Sequence, residues 1–218
     1  NLNILRSSKL PNHSRAHGVA YNENNNSFYI TCSYLDSVLV LDKEFNHKDT
    51  INLSNKNNLG SPPNHHCNDC FVFNNSLYVS MFSLSGNWKI DVFDGGILEV
   101  DTFSKKVTGH LISDLWMPHN VKIINGSMYV LDSLKGQLKG NNFQVIGDFP
   151  AFTRGLAYDK NYFYVGQSRN RNYSRNLGLS KNISIDAGII IFDEITKVSR
   201  FVQVSPKISE IHSIVIRH

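Results

Sequence analysis

A chain of 218 residues, 41% hydrophobic and 18% charged, has enough apolar side chains for a sizeable core and too many for a disordered tail. Its formal charge of +4 comes from scattered Lys and Arg, too few and too dispersed for a nucleic-acid surface. No apolar run reaches the roughly 20 residues that span a bilayer, so neither nucleic acid nor membrane is an expected partner.

Taken in chain order, the elements repeat. The opening "NLNILRSSKL" lacks the apolar core of a secretory leader, and the start at Asn1 rather than Met reads as a trimmed N-terminus. Its "LNILRSS" is an expected strand. A first hairpin follows in "HGVAYNENNNSFYI" (17–30), then the strand-like runs "SVLVLD" (37–42) and "HKDTINL" (47–53). The same pattern returns in "NDCFVFNNSLYV" (68–79), "GGILEVD" (95–101) and "KKVTGHL" (105–111). It returns again in "HNVKIINGSMYV" (119–130), "GQLKG" (136–140) and "FQVIGDF" (143–149). A fourth copy is "RGLAYDKNYFYV" (154–165), "AGIIIFD" (187–193) and "VSRFVQV" (198–204), and "HSIVIRH" (212–218) starts a fifth. Each hairpin joins an apolar run to an aromatic-rich one across a turn of Asn, Asp or Gly.

Four short antiparallel strands per unit, recurring about every 49 residues, predict an all-β propeller of four-stranded blades. No stretch of ten residues has helical periodicity. The expectation is one domain over 1–218 with five blades, or six in an untrimmed chain. The N-terminal strand would close the ring beside the C-terminal inner strand.

The repeat frame aligns His17, Asn68, His119, Arg154 and His212 at the start of successive inner strands. Inner strands line the propeller axis, so these side chains are expected to converge at one mouth of the channel. His119, Arg154 and His17 are the candidate catalytic residues, and Asn68, His66, Asn120 and Arg169 the candidate substrate-binding ones. Three imidazoles, His17, His119 and His212, would leave an open position on zinc, iron or manganese. Metal-free acid–base chemistry with Arg154 as electrostatic partner is a second reading. Ligand binding without chemistry is a third, and capping of strand ends between blades a fourth.

Other residues sort by position. His65 and His66 lie in the loop leading to Asn68, and His13 in the loop before His17. His47 and His110 fall on outer strands. Asp42, Asp101 and Asp193 end third strands, where Asp stabilises the reversal. Asp69 is expected to face a neighbouring blade. Asp132, Ser133, Gln167, Ser168 and Arg169 are expected to support the mouth. "SRNRNYSR" (168–175), with three arginines, is a solvated loop or an anion-contacting lip. Cys32, Cys67 and Cys70 form no even disulfide framework and point to a reducing, cytoplasmic setting. "CNDC" has metal-ligand spacing, but no second pair completes it, and Cys70 opens the apolar run "CFVF". No nucleophile elbow, P-loop or dinucleotide fingerprint is present.

The series "HHCND", "GNWK", "GGILEVD", "MPHN", "LDSLKGQL", "FTRGLAY", "VGQSRNR" and "EIHSI" resembles the uncharacterised bacterial β-propeller family designated domain of unknown function 4915. The resemblance covers roughly residues 60–217, and more weakly 16–33. It implies a propeller with a His shortly before an Asn in the second blade, nearly matched by His66 and Asn68. It also implies Pro-His in the third, matched by Pro118-His119, and Thr-Arg-Gly in the fourth, matched by Thr153-Arg154-Gly155. The chain departs where "HSI" replaces an acid or aromatic pair, and where Asp69 replaces a usual Gly. The family's glycan-related genomic settings imply a carbohydrate connection.

Together these readings lead to an enzyme of lyase, isomerase or hydrolase type. It would act on a small polar or anionic, sugar-like substrate at the His/Asn/Arg ring. The alternative is a non-catalytic glycan- or protein-binding propeller.

Overall fold

Runs of four to nine residues rich in Val, Ile, Leu, Tyr and Phe, each stopped by Asn, Asp or Gly, favour strands joined by tight turns over helix. The computed structural model describes residues 3–4, 6–54, 64–140, 142–169 and 183–217. The first sheet contains β1 (Ala16–Asn22), β2 (Ser27–Cys32), β3 (Ser37–Asp42) and β4 (His47–Asn52). The second contains β5 (Cys67–Phe73), β6 (Ser76–Met81), β7 (Gly95–Asp101) and β8 (Val107–Leu115). The third contains β9 (His119–Ile124), β10 (Ser127–Asp132), β11 (Gln137–Gly140) and β12 (Gln144–Asp148). The fourth contains β13 (Phe152–Tyr158), β14 (Phe163–Ser168), β15 (Gly188–Phe192) and β16 (Ser199–Gln203). All four sheets are up-and-down antiparallel meanders in sequence order, the pattern of propeller blades. A single 3-10 turn, Trp88–Ile90, is the only helical element among the described residues.

Third-strand turns close as the sequence predicts. The Asp42 carboxylate accepts the N–H groups of Glu44 and Asn46, Asp101 that of Ser104, and Asp193 those of Ile195 and Thr196.

Contacts divide the chain into two compact units, Asn1–Ser113 and Asp114–His218. Each unit holds one apolar core between its two blades. In the first, Val38, Val40, Ile51, Leu77, Val79 and Val100 pack with Cys67 and Cys70, placing Cys70 in the core as expected. In the second, Leu131, Leu138, Leu156, Phe163, Val165 and Phe192 do the same. The outer strand β16 is exposed along its whole length, whereas β3 is buried at five of six positions.

Every inner strand carries a register shift near its start. It falls between Ala16 and Val19 in β1, between Cys67 and Cys70 in β5, and between Thr153 and Leu156 in β13. In β9 the shift follows His119. Such a bulge adds one unpaired residue and re-aims the side chains beside it. In the first unit the bulge N–H groups are met by hydroxyls of the second strand: Gly18 N by Thr31 Oγ1 at 2.7 Å, and Asp69 N by Ser80 Oγ at 2.9 Å. Thr31 also donates to the Asn68 carbonyl at 2.6 Å, tying one blade to the next. In the second unit the Asn120 side chain performs this role from the neighbouring blade, accepting Gly155 N at 2.5 Å.

The segments expected to begin and close a fifth blade differ from the reading of the sequence. Neither the described residues before Ala16 nor those after Gln203 form a strand. A strand needs a continuous hydrogen-bonding neighbour. The chain after β16 is instead held at points, by Arg169 N to Ser209 O at 2.7 Å and Ile211 N to Ser168 Oγ at 2.9 Å. Ile211 fills the space over Gly166 that a side chain there would occupy.

Gly18 shows how tightly the first two blades meet. A Cβ at this position would lie 2.5 Å from Asp69 Oδ1, 2.7 Å from Asp69 Cα and 2.8 Å from Cys70 N, which also places Asp69 at the blade contact the sequence suggests. Gly18→Ala is expected to cost about 1–3 kcal/mol in urea unfolding, because backbone on β5 cannot move aside cheaply. Gly109→Ala on β8, with nothing within 4 Å of its Cβ, is expected to be neutral within about 0.5 kcal/mol.

Candidate functional site

In an up-and-down blade the start of the first strand, the loop between the second and third strands, and the connection from the previous blade share one end. In the first unit that end collects His17, the segment Asn64–His66 and the loop Phe82–Asp94. In the second unit it collects His119, Ser133, Arg154, Gln167 and Ser168, with Glu210 and His212 brought alongside by the chain after β16.

The first-unit end is organised by Asp36, which is 1% exposed. Its carboxylate accepts three successive backbone N–H groups, from Asn64 at 2.8 Å, His65 at 3.0 Å and His66 at 2.7 Å. An anion inside a run of N–H groups is a strong local anchor, and it holds His66 at φ 54°. His65 is turned inward, its Nδ1 3.0 Å from the Ser83 carbonyl, so that nitrogen carries the proton. The His66 ring stacks on Phe82 with centroids 4.3 Å apart, meets Trp88 at 4.8 Å and faces His17 at 5.8 Å. His17 is exposed. Asn68 is buried, and its carbonyl is committed to Thr31.

The second-unit end is more polar and more buried. His119, 3% exposed, places Nδ1 2.9 Å from the Met117 carbonyl and 2.8 Å from Ser133 Oγ. The carbonyl can only accept, and the Ser133 hydroxyl donates to Leu131 O. Nδ1 therefore carries the proton, and Nε2 is the basic nitrogen. Phe152 meets the imidazole edge-on at 5.5 Å. Ser133 thus has the supporting place expected of it. Asn120 is buried at φ 51°, occupied with Gly155 N.

Arg154 sits beside these groups in β13, its side chain 8% exposed. Its guanidinium reaches Glu210 Oε2 at 3.3 Å and His212 Nδ1 at 2.6 Å, and His212 Nε2 lies 2.9 Å from the same carboxylate. Arg154 can only donate, so the neutral His212 ring accepts through Nδ1 and donates through Nε2. Arg169 is exposed on its side chain while its N–H binds Ser209 O. The rest of the arginine-rich stretch, from residue 170 onward, lies outside the described residues.

Among the described residues no group of three or more His, Cys, Asp or Glu side chains could hold a metal ion. Of the three imidazoles proposed as a donor set for zinc, iron or manganese, His17 belongs to the first unit and His119 and His212 to the second. His212 is oriented by Arg154 and Glu210 through both ring nitrogens, and His119 by Met117 and Ser133 through Nδ1 alone. Glu210, Phe82 and Trp88 were not picked out as site residues. "EIHSI" does place an acid two residues before His212. The long interval before "GGILEVD" does mark an enlarged loop carrying "GNWK".

Asp132 is the buried acid of the second-unit end. It accepts Trp116 N at 2.7 Å and has Lys135 Nζ at 3.5 Å, while that ammonium also lies 4.9 Å from the Trp116 ring centroid. Burial pushes its carboxyl above the usual carboxylate range, against the pull of Lys135. The folded state therefore holds this proton more tightly than the unfolded state. The corresponding stabilisation is complete below the unfolded value, about pH 4, and is lost as pH rises through the folded value. Melting curves across this range are expected to show the Tm of Asp132→Asn, minus that of the parent, increasing with pH. A difference independent of pH would contradict this.

Known structures place these observations on a common fold. A chain of a nidogen/laminin complex is similar over 91% of this chain and 66% of its own length, with 11% identity and a TM-score of 0.65. A luciferin-regenerating enzyme is similar over 92% of this chain and 79% of its own, with 12% identity and a TM-score of 0.54. At these identities the likeness concerns the fold alone, and the fold is the β-propeller. No curated protein matches the sequence. No helix of the described residues is long and apolar enough to cross a membrane. The family described as Domain of unknown function (DUF4915) matches residues 2–217, and the chain belongs to it.

Proposed function

We propose that the protein is an enzyme acting on a small polar or anionic, sugar-like substrate, with His119 as the group that takes and returns a proton. The observation that supports this most is the fixed imidazole. Its Nδ1–H is held between Met117 O and Ser133 Oγ, which leaves Nε2 as the basic nitrogen. A general base needs both a set tautomer and a set direction. Arg154, oriented by Glu210 and His212, would steady negative charge developing on the substrate. This is the proton-transfer chemistry of a lyase, isomerase or hydrolase. Three free, buried cysteines, Cys32, Cys67 and Cys70, suit a reducing cytoplasmic setting.

A second reading is a non-catalytic module binding a glycan or a protein. It is favoured by the guanidinium of Arg154, whose charge is already met by Glu210. The two similar solved structures, one titled an enzyme and one a protein complex, are compatible with either.

Turnover of a panel of sugar lactones, uronic acids and glycosyl phosphates separates the two. His119→Ala is expected to lower kcat about 10²- to 10⁴-fold with an unchanged circular-dichroism spectrum, and Ser133→Ala to lower it less. Unaltered turnover in His119→Ala would reject His119 as the base. Ligand-dependent rises in Tm with no turnover of any compound would replace the enzyme with the binding module.

A further inference from the structure

The loop between β6 and β7 is enlarged. It runs Phe82–Asp94, whereas the equivalent loops of the first and third blades are only Ser33–Asp36 and Ser133–Gly136. An insertion at one blade end is a common place for a binding function. This one is internally braced: the Asp94 carboxylate accepts Ser83 Oγ at 2.5 Å and Ser85 N at 3.0 Å, and Asn87 N donates to Ser83 Oγ at 2.9 Å. The brace delivers Trp88 on its 3-10 turn to the His66 ring, and Lys89 to Asn64, whose Oδ1 accepts from Nζ at 3.3 Å.

The resulting cluster of rings is graded in exposure. Phe82 at its base is buried, His66 and Trp88 are half-buried, and His17 is exposed. Two of its four rings are imidazoles, which purely apolar packing would not select. One of them, His66, is kept in a left-handed conformation by the buried Asp36, a cost that ordinary packing does not require. Among the described residues the exposed Lys89 ammonium meets an amide oxygen and no carboxylate, so the rim presents a cation outside any ion pair there. Aromatic faces beside imidazole nitrogens and a cation match a ligand with a flat C–H face, hydroxyls and one anionic group.

We infer that the aromatic cluster of His17, His66, Phe82 and Trp88, with Lys89 at its rim, binds an anionic pyranose. The sugar ring lies against Trp88 and His66, and its carboxylate or phosphate pairs with Lys89. The inference shares with the proposed function the sugar-like ligand, but none of its proton-transfer residues.

Trp88 and Trp116 are the two tryptophans of the chain, so Trp116→Phe leaves Trp88 as the sole indole reporter. Its fluorescence is titrated with glucuronate, glucose 6-phosphate and glucose, in a protein whose melting curve matches the parent's. A saturable change with either anion, about tenfold weaker with glucose, is expected; glucuronate against glucose 6-phosphate identifies which anion is preferred. Lys89→Gln, an exposed substitution, is expected to remove that tenfold preference, and added salt to weaken it. Trp88→Ala, followed by calorimetry, is expected to abolish binding. The His119→Ala protein is expected to bind as well as the parent, whatever becomes of its turnover. No saturable response to any of the three compounds would overturn the inference, as would an anion preference that survives Lys89→Gln or binding lost in His119→Ala.

Discussion

The extra residue near the start of each inner strand sets the terms for the rest of the structure. A bulge leaves a backbone N–H without its ladder partner, and a buried N–H left unmet costs about 1–3 kcal/mol. The chain solves this differently in its two units. Thr31 and Ser80 supply hydroxyls from the second strand, and Thr31 goes on to join the next blade through the Asn68 carbonyl. Where the equivalent second-strand positions are Leu131 and Gly166, Asn120 supplies the acceptor for Gly155 from the neighbouring blade. The same device that redirects the ring-position side chains thus also fastens blade to blade.

This dual role explains why residues that share one repeat position do not share one fate. Asn68 is buried next to its blade contact, and the neighbouring Asn120 is spent on a structural bond. His119 is buried but held in a single tautomer. His17 is exposed, and His212 is 54% exposed on its side chain, resting on the Arg154–Glu210 pair. The blade ends also differ in kind: aromatic with an exposed lysine at the rim in the first unit, polar with the Arg154–Glu210 ion pair in the second. Burial makes the second end electrostatically demanding, as the raised Asp132 carboxyl demonstrates. The first end leaves His66 and Trp88 half-buried and His17 exposed.

Two carboxylates hold the loops that bring these groups together. Asp36 converts three successive N–H groups into a fixed platform for His66, and Asp94 does the same for the loop bearing Trp88. Asp36 is buried and Asp94 half-buried, and both are held by hydrogen bonds within their own unit. Preorganisation of this kind reduces the ordering cost of binding.

The strands were legible in the sequence because their determinants are local. "SVLVLD" and "GGILEVD" match β3 and β7 residue for residue, since alternation, β-branching and the closing Asp all act within a few residues. The repeat aligned His17, His119 and Arg154; in the structure His17 and Arg154 lie within the bulge of an inner strand, and His119 is the paired residue just before one. "HSIVIRH" shows the limit: it has the composition of an inner strand, but strand formation depends on a neighbour that composition does not supply. The partners of each ring residue were equally out of reach, since Glu210 reaches Arg154 and Asp36 reaches His66 across 56 and 30 positions. The sequence alone determined an all-β repeat with polar residues at the mouth of each blade. Only the tertiary structure decided which of them are consumed by bulge and blade contacts and which stay exposed, because that depends on hydrogen bonds between segments distant along the chain.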